Sequence, residues 1–114
     1  MIGRLVKMAK VRDRGTRTHS DLTGPVIIEH RGELKQLHVG EPLIVELIGG
    51  KLVGTTPVES IRWLRLSAEG VPETVGHTLA GEPPAGRDAV DLLCEVATAN
   101  TVYRLTVVAG RRRG

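Results

Sequence analysis

Aromatic side chains are nearly missing from this chain of 114 residues, which has one Trp, one Tyr and no Phe. Any interior must therefore be aliphatic, and 14 Val, 13 Leu and 6 Ile are present to build it. The shortage also argues against recognition of nucleic-acid bases by stacking, because Trp63 and Tyr103 are expected in the core. Cysteine is equally scarce. Cys94 stands alone, which excludes an intramolecular disulfide and a cysteine-based zinc site and makes a reducing cytoplasm the expected location. No apolar run approaches the roughly 18 residues of a membrane span, so no membrane partner is expected. Residues 1–7 also lack the apolar middle of a secretory signal.

Hydrophobic residues make up 40% and charged residues 25%, a balance that supports a packed interior and excludes global disorder. The length fits one β domain over residues 1–114. The formal charge of +3 conceals a segregation. Residues 1–17 hold Arg4, Lys7, Lys10, Arg12, Arg14 and Arg17 against Asp13, giving +5. The C-terminal tail, 111–114, contributes Arg111, Arg112 and Arg113, while residues 18–110 carry −5. The pattern is a mildly acidic body with two basic ends.

The body reads as strands separated by turn signals. Residues 25–30 are a β-branched run, Arg31-Gly32-Glu33 suggests a turn, and residues 34–39 return antiparallel. Residues 43–48 and 51–55 flank Gly49-Gly50, the composition of a two-residue hairpin whose turn positions need positive φ. Pro57 is expected to start a strand or sit at an edge, with a further strand over 58–66. Residues 67–88, with four Gly and three Pro, read as a long loop. Asp88 could cap a short helix near 88–97, yet Val90, Leu92, Cys94 and Val96 alternate as a strand face does, and the strand is preferred. Ala99-Asn100 then turns the chain into a β-rich run over 101–108. Residues 1–12 add another strand before a polar linker at 13–24. The expected fold class is all-β, a small barrel or sandwich of about 7–8 short antiparallel strands.

Two stretches, Gly54-Thr55-Thr56-Pro57-Val58-Glu59-Ser60-Ile61 and residues 96–105, resemble signatures of small uncharacterised β-proteins of bacteria and their phages. Those proteins carry a Thr-Ser-x-Val strand start and a Thr-x-Asn-Ser-x-Tyr-x-Leu hairpin, with Thr101 here standing where Ser is commoner. The matches cover about a sixth of the chain. The resemblance implies strands over 90–108 and carries no function with it.

Four histidines, His19, His30, His38 and His77, are the candidates for metal or acid–base chemistry. His30 and His38, eight residues apart with Glu29 or Glu41 nearby, would approach one another if they lay on neighbouring strands of one hairpin. The spacing matches no ligand motif, and surface histidine is the simpler reading; no metal or other cofactor is expected. Cys94 lies in an apolar alternation, where a thiol is a small hydrophobe with poor nucleophilicity, and His77 is the sequence-near base it would need. Ser20, Ser60 and Ser67 lack a nucleophile-elbow context, and no phosphate-binding glycine loop exists.

The expected role is therefore a non-enzymatic binding module. Its first form binds polyanions or nucleic acid through Arg4, Lys7, Lys10, Arg12, Arg14, Arg17 and Arg111, Arg112 and Arg113, with Arg65 and Arg104 extending the surface. The alternative is a protein-interaction or assembly subunit, homo-oligomer or complex partner, using a sheet edge or an apolar face such as Val102 and Val108. A metal-dependent enzyme on His30 and His38 comes third.

Overall fold

Period-two alternation of aliphatic and polar residues favours strands that bury one face, and seven strands form among the described residues. The computed structural model describes residues 1–13 and 28–108. The strands are β1 (Leu5–Asp13), β2 (Ile28–Gln36), β3 (Pro42–Leu47), β4 (Leu52–Leu66), β5 (Pro72–Thr78), β6 (Leu93–Thr98) and β7 (Thr101–Val107). All pairings between them are antiparallel. Strand β1 pairs with β2 and β7, β2 with β3, the first part of β4 with β3, its second part with β6, and β6 with β7. Those pairings close a ring of six strands, the barrel form of the expected all-β fold. Strand β5 lies outside the ring, hydrogen-bonded to β4 along Ile61–Leu66.

Six strands enclose less space than the eight that side chains can just fill, so the lumen is solid. Val6, Met8, Leu34, Val45, Ile61, Trp63, Cys94, Val96 and Leu105 meet there. Burying each large aliphatic contributes roughly 1.5–3 kcal/mol relative to leaving it exposed. Trp63 is fully buried and its Nε1–H donates to Thr78 Oγ1 at 2.8 Å, so the indole satisfies its donor while fastening β5 to the barrel. A second cluster, Val11 and Leu64 with half-buried Leu93, occupies the other face, since Leu64 and Leu93 each follow or precede a lumen residue on their strands.

Several sequence expectations hold. Gly49 and Gly50 have φ of 107° and 97° and turn β3 into β4. The hairpin includes Ile48 as a third loop residue, because Leu47 N–H donates to Lys51 O at 2.7 Å. Ala99 and Asn100 link β6 to β7, and residues 93–98 are strand. Asp88 does act as a cap, accepting from Val90 N–H at 3.1 Å, but of a single 3-10 turn, Ala89–Asp91.

Three expectations are corrected. No turn exists at residues 31–33, because β2 runs unbroken from Ile28 to Gln36. Gly32 is there for closeness: a Cβ would collide with the backbone of Glu46 and Leu47 on β3. Residues 52–66 form one strand in which Pro57 is interior. Val58 N–H donates to Glu41 O at 2.9 Å, so alternation points the Pro57 nitrogen toward the β6 side, past Thr98 where β6 ends; locally, proline still occupies an edge. Finally, residues 72–78 within the expected loop are strand β5. Its sequence, with Pro72 and Gly76, has weak strand preference, and the ladder with β4 supplies what propensity does not.

Candidate functional site

Strand direction determines which residues gather at each end of the barrel. The beginning of β1, the end of β2 and the 3-10 turn leading into β6 share one end. There Met1, Leu37, Ala89 and Leu92 join the core and close it with apolar side chains. The opposite end holds the end of β1 and the beginnings of β2 and β7. Register aligns their residues: Met8 pairs with His30 and Leu105, and Lys10 pairs with Tyr103. Residues directly opposite share a face, so Lys10, His30 and Tyr103 stand on the lumen side with Met8. With Val53 and Gly54 of β4 they line a cavity of about 180 Å³ at the barrel mouth. Its floor is apolar, from Met8 and Val53, and its rim carries an ammonium, an imidazole and a phenol.

The basic residues singled out from the sequence are distributed differently from a projecting arm. Arg4 is exposed just before β1. Residues 5–13 are a strand hydrogen-bonded on both sides, whose Val6, Met8, Ala9 and Val11 are buried. Lys7 faces outward and lies 3.7 Å from Glu29 Oε2, whereas Lys10 faces the mouth. Arg12 belongs to β1 at an irregularity in the β1–β7 ladder. Arg14, Arg17, Arg111, Arg112 and Arg113 lie outside the described residues.

On the outer surface, cross-strand register sets Arg62, Glu95 and Arg104 side by side on β4, β6 and β7. Glu95 is buried, and its Oε1 lies 2.6 Å from Arg62 Nε, an ion pair by distance without hydrogen-bond alignment of the Nε–H. Two guanidinium groups flanking one carboxylate offset the cost of withdrawing it from water. Lys35 bridges Glu33 at 3.6 Å and Glu46 at 3.4 Å, which face each other across β2 and β3. The Glu33 charge, then Glu46, raises the Lys35 pKa above its ordinary range. Arg65 Nε donates to Glu73 at 3.2 Å. Much of the sheet exterior is thus internally paired.

The metal and nucleophile candidates separate. His30 begins β2 and His38 lies beyond its end, so the two sit at opposite ends of roughly 20 Å or more of extended chain. His38 Nδ1 is 2.8 Å from Val39 O. His19 lies outside the described residues. Among the described residues, no group of three or more His, Cys, Asp or Glu is placed to hold a metal ion. Cys94 is in the lumen, while His77, opposite Arg62 on β5, is exposed on the other face. Burial, aided by the neighbouring Glu95 charge, pushes the Cys94 thiol far above its ordinary range and leaves it without nucleophilic character. Val102 is buried at 2% exposure, so it is not on a free apolar face, while Val108 is half-buried with its N–H donating to Leu5 O. Ser67 serves the β4–β5 turn, its Oγ accepting from the N–H groups of Glu69 and Val71.

Comparison with protein-family profiles, curated proteins and solved structures yields no match. The site must be read from its own chemistry. Among the described residues no helix is long and apolar enough to cross a membrane.

The sequence named Lys10 and His30 for other roles and Tyr103 for the core, and it did not bring the three together. A signal was present: Lys10 lies two residues after Met8, His30 four before Leu34, and Tyr103 two before Leu105. Each is a polar residue at an inward position. Recognising them needs the barrel register, which sequence periodicity alone does not supply.

Proposed function

We propose that the chain is a non-enzymatic binding module for polyanions, nucleic acid above all, with the β1–β7 ribbon as the bearing surface. The observation that supports the reading is the placement of the ribbon's ends. Asp13 is level with Thr101 at one end, and Val108 is bonded to Leu5 at the other. Arg14 and Arg17 follow Asp13 in the chain, Arg111 to Arg113 follow Val108, and Arg4 precedes Leu5. The two basic segments are thus joined in the chain to opposite ends of a ribbon about 26 Å long, at roughly 3.3 Å per residue. That length matches about eight base-pair steps of roughly 3.4 Å. Lys7 and Arg104 stand on its outer surface between the ends, bordering a depression that Glu29, the ion-pair partner of Lys7, also lines. Attraction of this kind is sequence-independent and salt-dependent.

The test is fluorescence anisotropy of short DNA and RNA duplexes against salt. Affinity should fall steeply as salt rises, and replacing Arg111, Arg112 and Arg113 together by Ala should flatten the log–log slope by up to about one unit per lost phosphate contact. Undetectable binding to both nucleic acids at low salt would overturn the reading.

A second reading, self-assembly, draws on β5. Its ladder with β4 uses one edge, and Leu66, Val71 and Leu79 around it are 52%, 56% and 70% exposed. Pairing of β5 with β5 of a second copy would extend the sheet and cover them. Light scattering should then give a stable dimer that Thr74→Pro disperses, and a monomer at all concentrations would remove this reading.

A further inference from the structure

We propose that the barrel mouth binds a small organic anion, a carboxylate attached to a body about the size of a six-membered ring. The volume sets the size. A cavity of about 150 Å³ accommodates benzene in an apolar protein interior, and the mouth cavity is about 180 Å³. It is too small for a nucleotide or a polymer segment, since pockets for drug-sized ligands begin at about 300 Å³. The lining sets the chemistry. Met8, Val53 and the ring of Tyr103 offer apolar contact to the body of the ligand. Lys10, directly opposite Tyr103 and diagonal to His30 across the β1 ladders, brings three potential donors to one rim. Among the described residues none that lines the mouth is acidic, and Lys10 brings a positive charge to it. A carboxylate there would accept charge-assisted hydrogen bonds in a partly enclosed site, where such bonds are stronger than in water.

The site is separate from the outer surface of the β1–β7 ribbon. Lys7 and Lys10 are on opposite faces of β1, so Lys7→Glu and Lys10→Met act on different properties of the molecule.

Calorimetric titration of the full chain with benzoate tests the proposal, with benzyl alcohol and inorganic phosphate as parallel probes. Benzoate should bind saturably at one site. Benzyl alcohol, which keeps the ring and loses the charge, should bind about tenfold more weakly or worse, the scale of a lost charge-assisted hydrogen bond. Lys10→Met, which keeps the stem and removes the ammonium, should weaken benzoate to a similar extent. Val53→Phe should abolish binding by filling the floor, with circular dichroism confirming the fold. Should Lys10→Met fail to fold, His30→Leu tests the same donor set. The proposal is overturned by absence of saturable benzoate binding, by benzoate binding unchanged in Val53→Phe, or by phosphate binding as tightly as benzoate.

Discussion

At one end of the barrel, Met1, Leu37, Ala89 and Leu92 complete the aliphatic core; toward the other, Lys10, His30 and Tyr103 line a cavity. The strands between are the same six, so register and packing distance do not distinguish the ends. The closing side chains do. Apolar residues at inward positions are explained by burial alone. At equivalent positions Lys10 and His30 bring polar groups that burial alone does not explain, while Tyr103 packs partly buried against the core. The contrast underlies the proposal that the mouth serves binding while the closed end serves stability.

The sharpest way to break this comparison is at the closed end. Leu92→Ala should cost about 2–5 kcal/mol through lost burial and a residual cavity, read as a lowered urea midpoint with unchanged slope. Next comes the middle of the lumen, at Cys94. Its pKa is raised in the folded state by burial, so the neutral thiol is favoured there. Stability from this group is fully present below the ordinary thiol pKa of about 8.5 and declines as pH rises above it, because the unfolded thiol ionises first. A Cys94→Ala variant should lose that alkaline decline, and a disulfide reagent should label wild-type Cys94 only as fast as the fold opens. The smallest effect belongs to the mouth. His30→Leu should change stability by less than about 1 kcal/mol, because a half-exposed rim position surrenders little packing. If His30→Leu proved as damaging as Leu92→Ala, the two ends would not divide stability and binding between them.

Pairing of exterior charges adds a second lesson about reading charge along a chain. Counted by sequence, residues 1–17 are a basic end; folded, Leu5–Asp13 among them is a barrel strand with Lys7 outside and Lys10 at the mouth. Proximity in sequence did not become a common surface, because a strand sends successive side chains to opposite faces.

How much was legible beforehand differs from element to element. The Ala99-Asn100 turn and the β character of residues 93–107 follow from local preferences and appear as read, and the Gly49-Gly50 hairpin appears with Ile48 added to its loop. Gly32 and Pro57 were misread as punctuation. Their roles depend on neighbours distant in sequence, the β3 backbone at Glu46 in one case and the end of β6 at Thr98 in the other. Strand β5 was hidden for a similar reason, since its ladder partner rather than its composition makes it a strand. The candidate site was the least legible of all, because Lys10, His30 and Tyr103 come from three strands and only their register makes them one rim.

By itself, then, the sequence determined the class and the material: an all-β chain with an aliphatic interior, a lone structural cysteine and excess positive charge near both ends. Those properties depend on composition and on alternation over a few residues, which act locally. Only the tertiary structure decided that the sheet closes through β3 and β4, that β5 stays outside the ring, and that one end of the lumen is sealed while the other is lined by donors. Each of these is a matter of which strands meet and in what register. That choice is made by the burial of the whole lumen at once, and no short stretch of the chain contains it.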